Sequence, residues 1–128
     1  MIGCVAMSEL GDRLSELRLD RQELQKDIAE LLHVSAGTVS NYETGTHLPT
    51  VDALCELADH FCVSTDFLLG RTKSRISTGM INKEFVNQQS YGVLIERLES
   101  LPMDKRRLVW ELIDDIRISC YVKQKVTE

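Results

Sequence analysis

Residues 25–43 read QKDIAELLHVSAGTVSNYE, and this stretch decides the fold. Leu24, Ile28 and Leu31 fall at helical spacing. Ser35 suits the N-cap of a second helix through Tyr42, which leaves only a tight turn between the two. Such a pair has three steric needs. The first helix needs a small residue where the second crosses it, and Ala29 supplies one. The turn needs a residue that tolerates left-handed backbone. His33 stands there, of a type enriched at positive φ, although glycine adopts it more easily. The second helix needs a buried aliphatic side chain, and Val39 fits.

Working outward, Leu10, Leu14 and Leu17 form a helical stripe before this unit. After it, TGTHLP reads as a loop, with Gly45 stopping the preceding helix and Pro49 punctuating. Thr50 caps a helix carrying Leu54, Leu57, Ala58 and Phe61, with Asp52 favourable in its first turn. Ser64 caps a last short helix ending at Gly70. The pattern predicts an all-α, five-helix domain over residues 8–70, without strand signals. Residues 71–89, polar and with weak periodicity, read as a linker in which Phe85 and Val86 are candidates for docking. Residues 90–123 read as a C-terminal helical hairpin. Tyr91, Leu94, Ile95, Leu98 and Leu101 form one stripe, and Pro102 suits the first turn of the next helix. Leu108, Val109, Leu112, Ile113, Ile116 and Cys120 then make a wide apolar face, with Trp110, Ile118 and Tyr121 on another side.

The chain has 128 residues, the scale of one domain with an appendage. No apolar run is long enough to span a membrane. MIGCVAM is too short and uncharged for a secretory signal, so a cytoplasmic location is expected, with Met7 as an alternative start after a six-residue tail. Cys4, Cys55, Cys62 and Cys120 show no close pair and read as reduced thiols. Cys55 and Cys62 flank His60, an arrangement open to a metal, but small apolar core fillers are the simpler reading. Residues 8–72 hold twelve acids against five Lys and Arg, a net −7, while residues 73–128 carry +2. The half bearing the helix pair is thus the acidic half.

The stretch from Leu10 to Thr72 resembles the Cro/CI-type (XRE) helix-turn-helix family of phage repressors and bacterial regulators. The resemblance is carried, in order, by LGDRLSELR, QKDIAELLHVS, GTVSNYETG, LPTVDALCELADHF and VSTDFLLGRT, about half of the chain. It implies that Arg18 pairs with Glu43, stapling the first helix to the end of the third. It implies that Gln25 meets a DNA phosphate, helped by free N–H groups at its helix N-terminus, with Lys26 adding charge. Ala36, Gly37, Thr38, Ser40 and Asn41 would line the major-groove face, and Ser35 before them would also contact DNA. Asn41 is the candidate for direct base reading, because its amide matches adenine N6 and N7. Thr44, Thr46 and His47 would meet the backbone from the following loop. Taken without the resemblance, the same polar face is also what a solvated helix shows.

Two departures stand out. Glu23 and His33 occupy places where the family carries an apolar residue and glycine. No Lys or Arg occurs from His33 to Thr50, so any phosphate contacts there rest on neutral donors and helix N-termini.

The C-terminal helices carry more apolar surface than they can bury against each other, which implies a partner. Dimerisation through Leu94, Leu98, Leu108, Leu112, Ile113 and Ile116 is expected, with docking on the N-terminal domain or a heterologous partner helix as alternatives. The bases in MDKRR, residues 103–107, read as a solvated helix start. The expectation is a homodimeric, sequence-specific regulator of transcription, a repressor, bound to double-stranded DNA. The alternative is a protein-interaction module such as an antitoxin or adaptor. No catalytic residue, cofactor or metal site is expected: the three histidines are scattered, and no phosphate loop or metal-ligand spacing occurs.

Overall fold

Leu10, Leu14 and Leu17 lie on one face of α1 (Met7–Asp20) and are 5% exposed or less. They meet Ile28 and Ala29 of α2 (Gln25–Leu32) and Val39 and Tyr42 of α3 (Ala36–Thr44). Leu57 and Ala58 of α4 (Val51–His60), with Phe67 and Leu68 of α5 (Thr65–Leu68), close the core. The computed structural model describes residues 7–127, so the expected tail over residues 1–6 and Cys4 lie outside the described residues. The chain parts into two units between Ile81 and Asn82.

Local chemistry sets the helix ends of the first unit. The side-chain oxygens of Ser35, Thr50 and Ser64 accept the N–H groups of Thr38, Ala53 and Phe67 at 3.1, 3.2 and 3.0 Å, satisfying orphan donors at three N-termini. Helix α2 follows Leu24, which has no oxygen to offer; instead Asp27 Oδ2 accepts the Leu24 N–H at 2.7 Å. The closing residues are left-handed: His33 at φ 55° after α2 and Gly45 at φ 76° after α3. Leu24 itself is 55% exposed. It precedes the first turn of α2, so the apolar stripe starts at Ile28 and takes in Ala29 and Leu32.

Two contacts of α1 escape the hydrophobic pattern. Gly11 abuts the C-terminal end of α3 so closely that a Cβ would sit 2.2 Å from the Glu43 carbonyl oxygen and 2.8 Å from that of Tyr42. Elsewhere on α1, Arg13 donates to the carbonyl oxygens of Phe67 and, at 3.0 Å, Thr72, with its guanidinium 4.5 Å from the Phe67 ring centroid.

Beyond the first unit, among the described residues, a single small hairpin interrupts an otherwise all-α chain. After α6 (Thr78–Asn82), β1 (Glu84–Val86) and β2 (Gln89–Ser90) pair antiparallel. Asn87 and Gln88, at φ 50° and 61°, form the two-residue turn. Positive φ at both positions suits the twist of a two-residue hairpin. The stretch has no Asn-Gly or Asp-Gly signal, and three- and two-residue strands are too short to show alternation. Phe85 stacks edge-on against Tyr91 at 5.2 Å.

Ser90 caps α7 (Tyr91–Glu99), accepting the Val93 N–H at 3.3 Å. Pro102 then occupies the N-cap of α8 (Met103–Val126) rather than its first turn. Helix α8 has 24 residues and extends about 36 Å at the usual rise. Arg106 closes the α7–α8 turn, its Nε donating to the Leu101 carbonyl at 2.8 Å. Along α8, Leu108, Trp110, Leu112, Ile116 and Ile118 are all more than half exposed and Ile113 is 45% exposed, whereas Leu94 and Leu98 of α7 are half-buried. No helix among the described residues is long and apolar enough to cross a membrane.

Candidate nucleic-acid interface

Helix α3 has two sides because Val39 and Tyr42 turn inward, at 0% and 7% exposure. The residues before and between them face out. Ser35, Ala36 and Gly37 are exposed, and Thr38, Ser40 and Asn41 are partly so. A Cβ on Gly37 would meet only Ser35 Oγ, at 3.7 Å. The glycine is therefore not required by packing, and Gly37→Ala is expected to stabilise the fold by about 0.5–1 kcal/mol, the usual helix gain. A lower melting temperature for that variant would contradict the open geometry.

Hydroxyl groups on this face are already ordered. Ser35 Oγ and Thr38 Oγ1 lie 2.9 Å apart, and Thr44 Oγ1 and Thr46 Oγ1 2.8 Å apart. The Asn41 carbonyl accepts the N–H groups of Thr46 and His47 at 2.9 and 3.2 Å. That holds the exposed loop residues Thr46 and His47 against the end of α3, beside exposed Thr44. The side-chain amide of Asn41 makes no hydrogen bond among the described residues and is free to bond outward.

Behind this face sits a charged network. Arg18 donates from Nε to Glu43 Oε1 at 2.6 Å and from its terminal nitrogen to Oε2 at 3.0 Å, a bidentate pair. Its other terminal nitrogen donates to the Glu23 carbonyl at 2.9 Å. The two side chains are only 11% and 8% exposed. Burial works to raise the Glu43 carboxyl, but hydrogen bonds from Arg18 and Gln25, with the Arg18 charge, outweigh it and hold it below the ordinary carboxylate range. The hydrogen bond to Glu43 pushes the Arg18 guanidinium above its usual value, despite burial.

Gln25 and Lys26 open α2, half-buried and exposed respectively. Gln25 does more than its position suggests: its Nε2 donates to Glu43 Oε2 at 2.9 Å. The two departures are also absorbed locally. Glu23 bonds His60 Nε2 at 2.8 and 3.0 Å, linking the entry of α2 to the end of α4, and His33 adopts the left-handed turn that glycine would.

Cys55 and Cys62 are exposed, which corrects their reading as core fillers. The inward positions of α4 are taken by Leu57 and Ala58, and Cys62 sits in the turn after it at φ 54°. Neither Gly11 nor the Gln25–Glu43 bond was visible as a site feature. A lone glycine in a leucine-spaced helix was the available signal for the first.

A family model described as a helix-turn-helix domain matches residues 9–69. The HTH-type transcriptional regulator ImmR of Bacillus subtilis (strain 168) is 38% identical over 76 residues, covering 58% of this chain and 60% of that protein. The HTH-type transcriptional regulator AnsR of the same organism is 41% identical over 64 residues, 50% of this chain and 55% of that protein. The chain thus spans little more than half the length of these relatives. A solved structure described as a transcriptional regulator from Listeria innocua is also similar, at 26% identity and TM-score 0.49, covering 85% of this chain and 92% of that one. With five helices in place, a left-handed turn between α2 and α3 and the Arg18–Glu43 staple behind them, residues 9–69 form a helix-turn-helix domain similar to those of XRE-type transcriptional regulators.

Proposed function

We propose that the chain is a cytoplasmic, sequence-specific DNA-binding regulator of transcription, a repressor, reading an inverted repeat as a homodimer with α3 in the major groove. The observation that carries this is the outward face of α3. It is polar, uncharged and ordered, in a stretch (residues 8–72) that carries twelve acids against five Lys and Arg. A protein-binding face would be more apolar. Relatives described as HTH-type transcriptional regulators support the same reading. An enzyme reading has no support in that family or in the residues of this face.

In this reading Asn41 reads a base, while Thr38, Ser40, Ala36 and Gly37 complete the groove contact. Ser35, Gln25, Lys26, Thr44, Thr46 and His47 position the helix on phosphate and sugar, contacts that set register without specifying sequence. Asn41→Ala is expected to weaken binding to the preferred site by about 1–3 kcal/mol and to relax preference at one base position. Unchanged affinity and preference would remove Asn41 from the reading surface.

The absence of Lys and Arg from His33 to Thr50 makes the electrostatic share of affinity small. The logarithm of the binding constant should fall against that of salt with a slope of only about −2 to −3 per protomer, a few counterions. A slope several times steeper would place DNA contacts on residues other than these.

Two copies would join through Leu94, Leu98, Leu108, Leu112, Ile113 and Ile116. The exposure of the α8 members supports this, since a solvated stripe of that size favours association. The same exposed stripe is the observation favouring the second reading, an antitoxin- or adaptor-like module whose C-terminal helices hold another protein. Leu112→Glu with Ile116→Glu should convert a dimer to a monomer in light scattering. A chain that is already monomeric before substitution would favour the second reading.

A further inference from the structure

We infer that Glu43 is a positioning residue for the DNA contact of Gln25, in addition to being the partner of Arg18. The inference rests on the DNA-facing reading of Gln25 proposed above. Glu43 Oε2 accepts from two sides at once, from Arg18 at 3.0 Å and from Gln25 Nε2 at 2.9 Å. One carboxylate therefore ties α1, α2 and α3 together at the point where α2 begins.

The consequence for Gln25 follows from amide chemistry. A glutamine side chain ends in one acceptor oxygen and one NH2 with two donors. A phosphate accepts hydrogen bonds only, so an amide turned the wrong way presents its oxygen to an anion. Glu43 resolves this ambiguity. Its carboxylate also only accepts, so it attracts the nitrogen of Gln25 and repels the oxygen. One N–H is consumed by Glu43 and the second remains available, in a fixed plane, for an outside acceptor. Without Glu43 the amide is free to turn over, and the long side chain must be ordered when DNA binds. Arg18 takes part indirectly. Its bidentate grip fixes the carboxylate plane, and its charge keeps Glu43 ionised and purely accepting.

The test separates positioning from stability. Arg18→Met combined with Glu43→Leu replaces the buried pair with apolar groups of similar size, a change that buried pairs often tolerate. Gln25→Ala is then measured in the wild-type chain and in this background, by fluorescence anisotropy on a duplex that wild type binds. In wild type, loss of a hydrogen bond to a charged acceptor should weaken binding about tenfold or more. In the replaced background the same substitution should matter by less than about threefold, a difference of less than one ordinary hydrogen bond. An equal loss in both backgrounds overturns the inference.

Nuclear magnetic resonance of the free wild-type protein supplies a second reading that does not depend on the replaced pair folding. The Gln25 side-chain NH2 should show slow exchange and restricted motion. A freely rotating Gln25 amide in wild type overturns the inference regardless of DNA. If wild type binds no duplex, the proposed function fails, and a rigid Gln25 amide would then mark a purely structural bond.

Discussion

Gly11→Ala is expected to destabilise the N-terminal unit by about 3 kcal/mol, toward the upper end of the overpacking range. The sign is opposite to the local one, because alanine favours a helix over glycine by about 1 kcal/mol. Packing decides the outcome. The added methyl would lie 2.2 Å from one backbone carbonyl oxygen and 2.8 Å from another, both at the end of α3. Backbone cannot swing aside as a long side chain can, so α1 and α3 must separate. That separation would also shift Glu43, whose carbonyl is the nearest obstacle, and with it the Arg18 staple. In a unit of this size the melting temperature should fall by more than about 10 °C. Gly37→Ala, made in parallel, is the control for propensity alone. Two variants that both gain stability would show that the close approach of α1 to α3 does not exist in solution.

The second large effect belongs to the Arg18–Glu43 pair. Arg18→Ala leaves a nearly buried carboxylate with Gln25 as its one remaining side-chain partner among the described residues, and loss of one member of a buried pair typically costs about 3–5 kcal/mol. The Arg18→Met, Glu43→Leu double variant should be far closer to wild type, because it removes both charges together. The pH dependence follows from the direction of the Glu43 shift. Its folded carboxyl titrates below its unfolded value, so the pair stabilises in full above the unfolded range, about pH 4.3 for glutamate. That contribution fades as pH falls through the lower folded value. Denaturant unfolding of wild type should therefore lose stability on acidification to about pH 3 in excess of the loss in the double variant. Parallel pH curves for the two proteins, or an Arg18→Ala variant as stable as wild type, would contradict the account.

Much of this was legible in the residues, and the reasons are local. Ser35, Thr50 and Ser64 cap helices through their own oxygens, and Gly45 is the left-handed stop that its type suggests. His33 was readable because histidine is among the side chains that tolerate positive φ. The Arg18–Glu43 pair came from family resemblance, since nothing in spacing alone joins residues on different helices. What escaped was tertiary or marginal. Gly11 matters only because another backbone passes 2.2 Å from where its Cβ would be, and periodicity is blind to that. The Gln25–Glu43 bond depends on how α2 is set against α3. Cys55 and Cys62 looked like core residues by type, yet Leu57, Ala58, Phe61 and Val63 fill the inside around them. The hairpin at 84–90 was hidden by its length and by a turn built from Asn87 and Gln88 rather than glycine.

The central claim is that the polar outer face of α3 reads DNA sequence. It is tested most directly by selecting bound duplexes from a random library with the purified full chain. The account predicts recovery of an inverted repeat whose half-sites lie about one helical turn apart, about 10 base pairs between centres, with recovery lost at one position in Asn41→Ala. Folded protein that enriches no sequence, even at low salt, would contradict it and move the function to whatever the C-terminal helices hold.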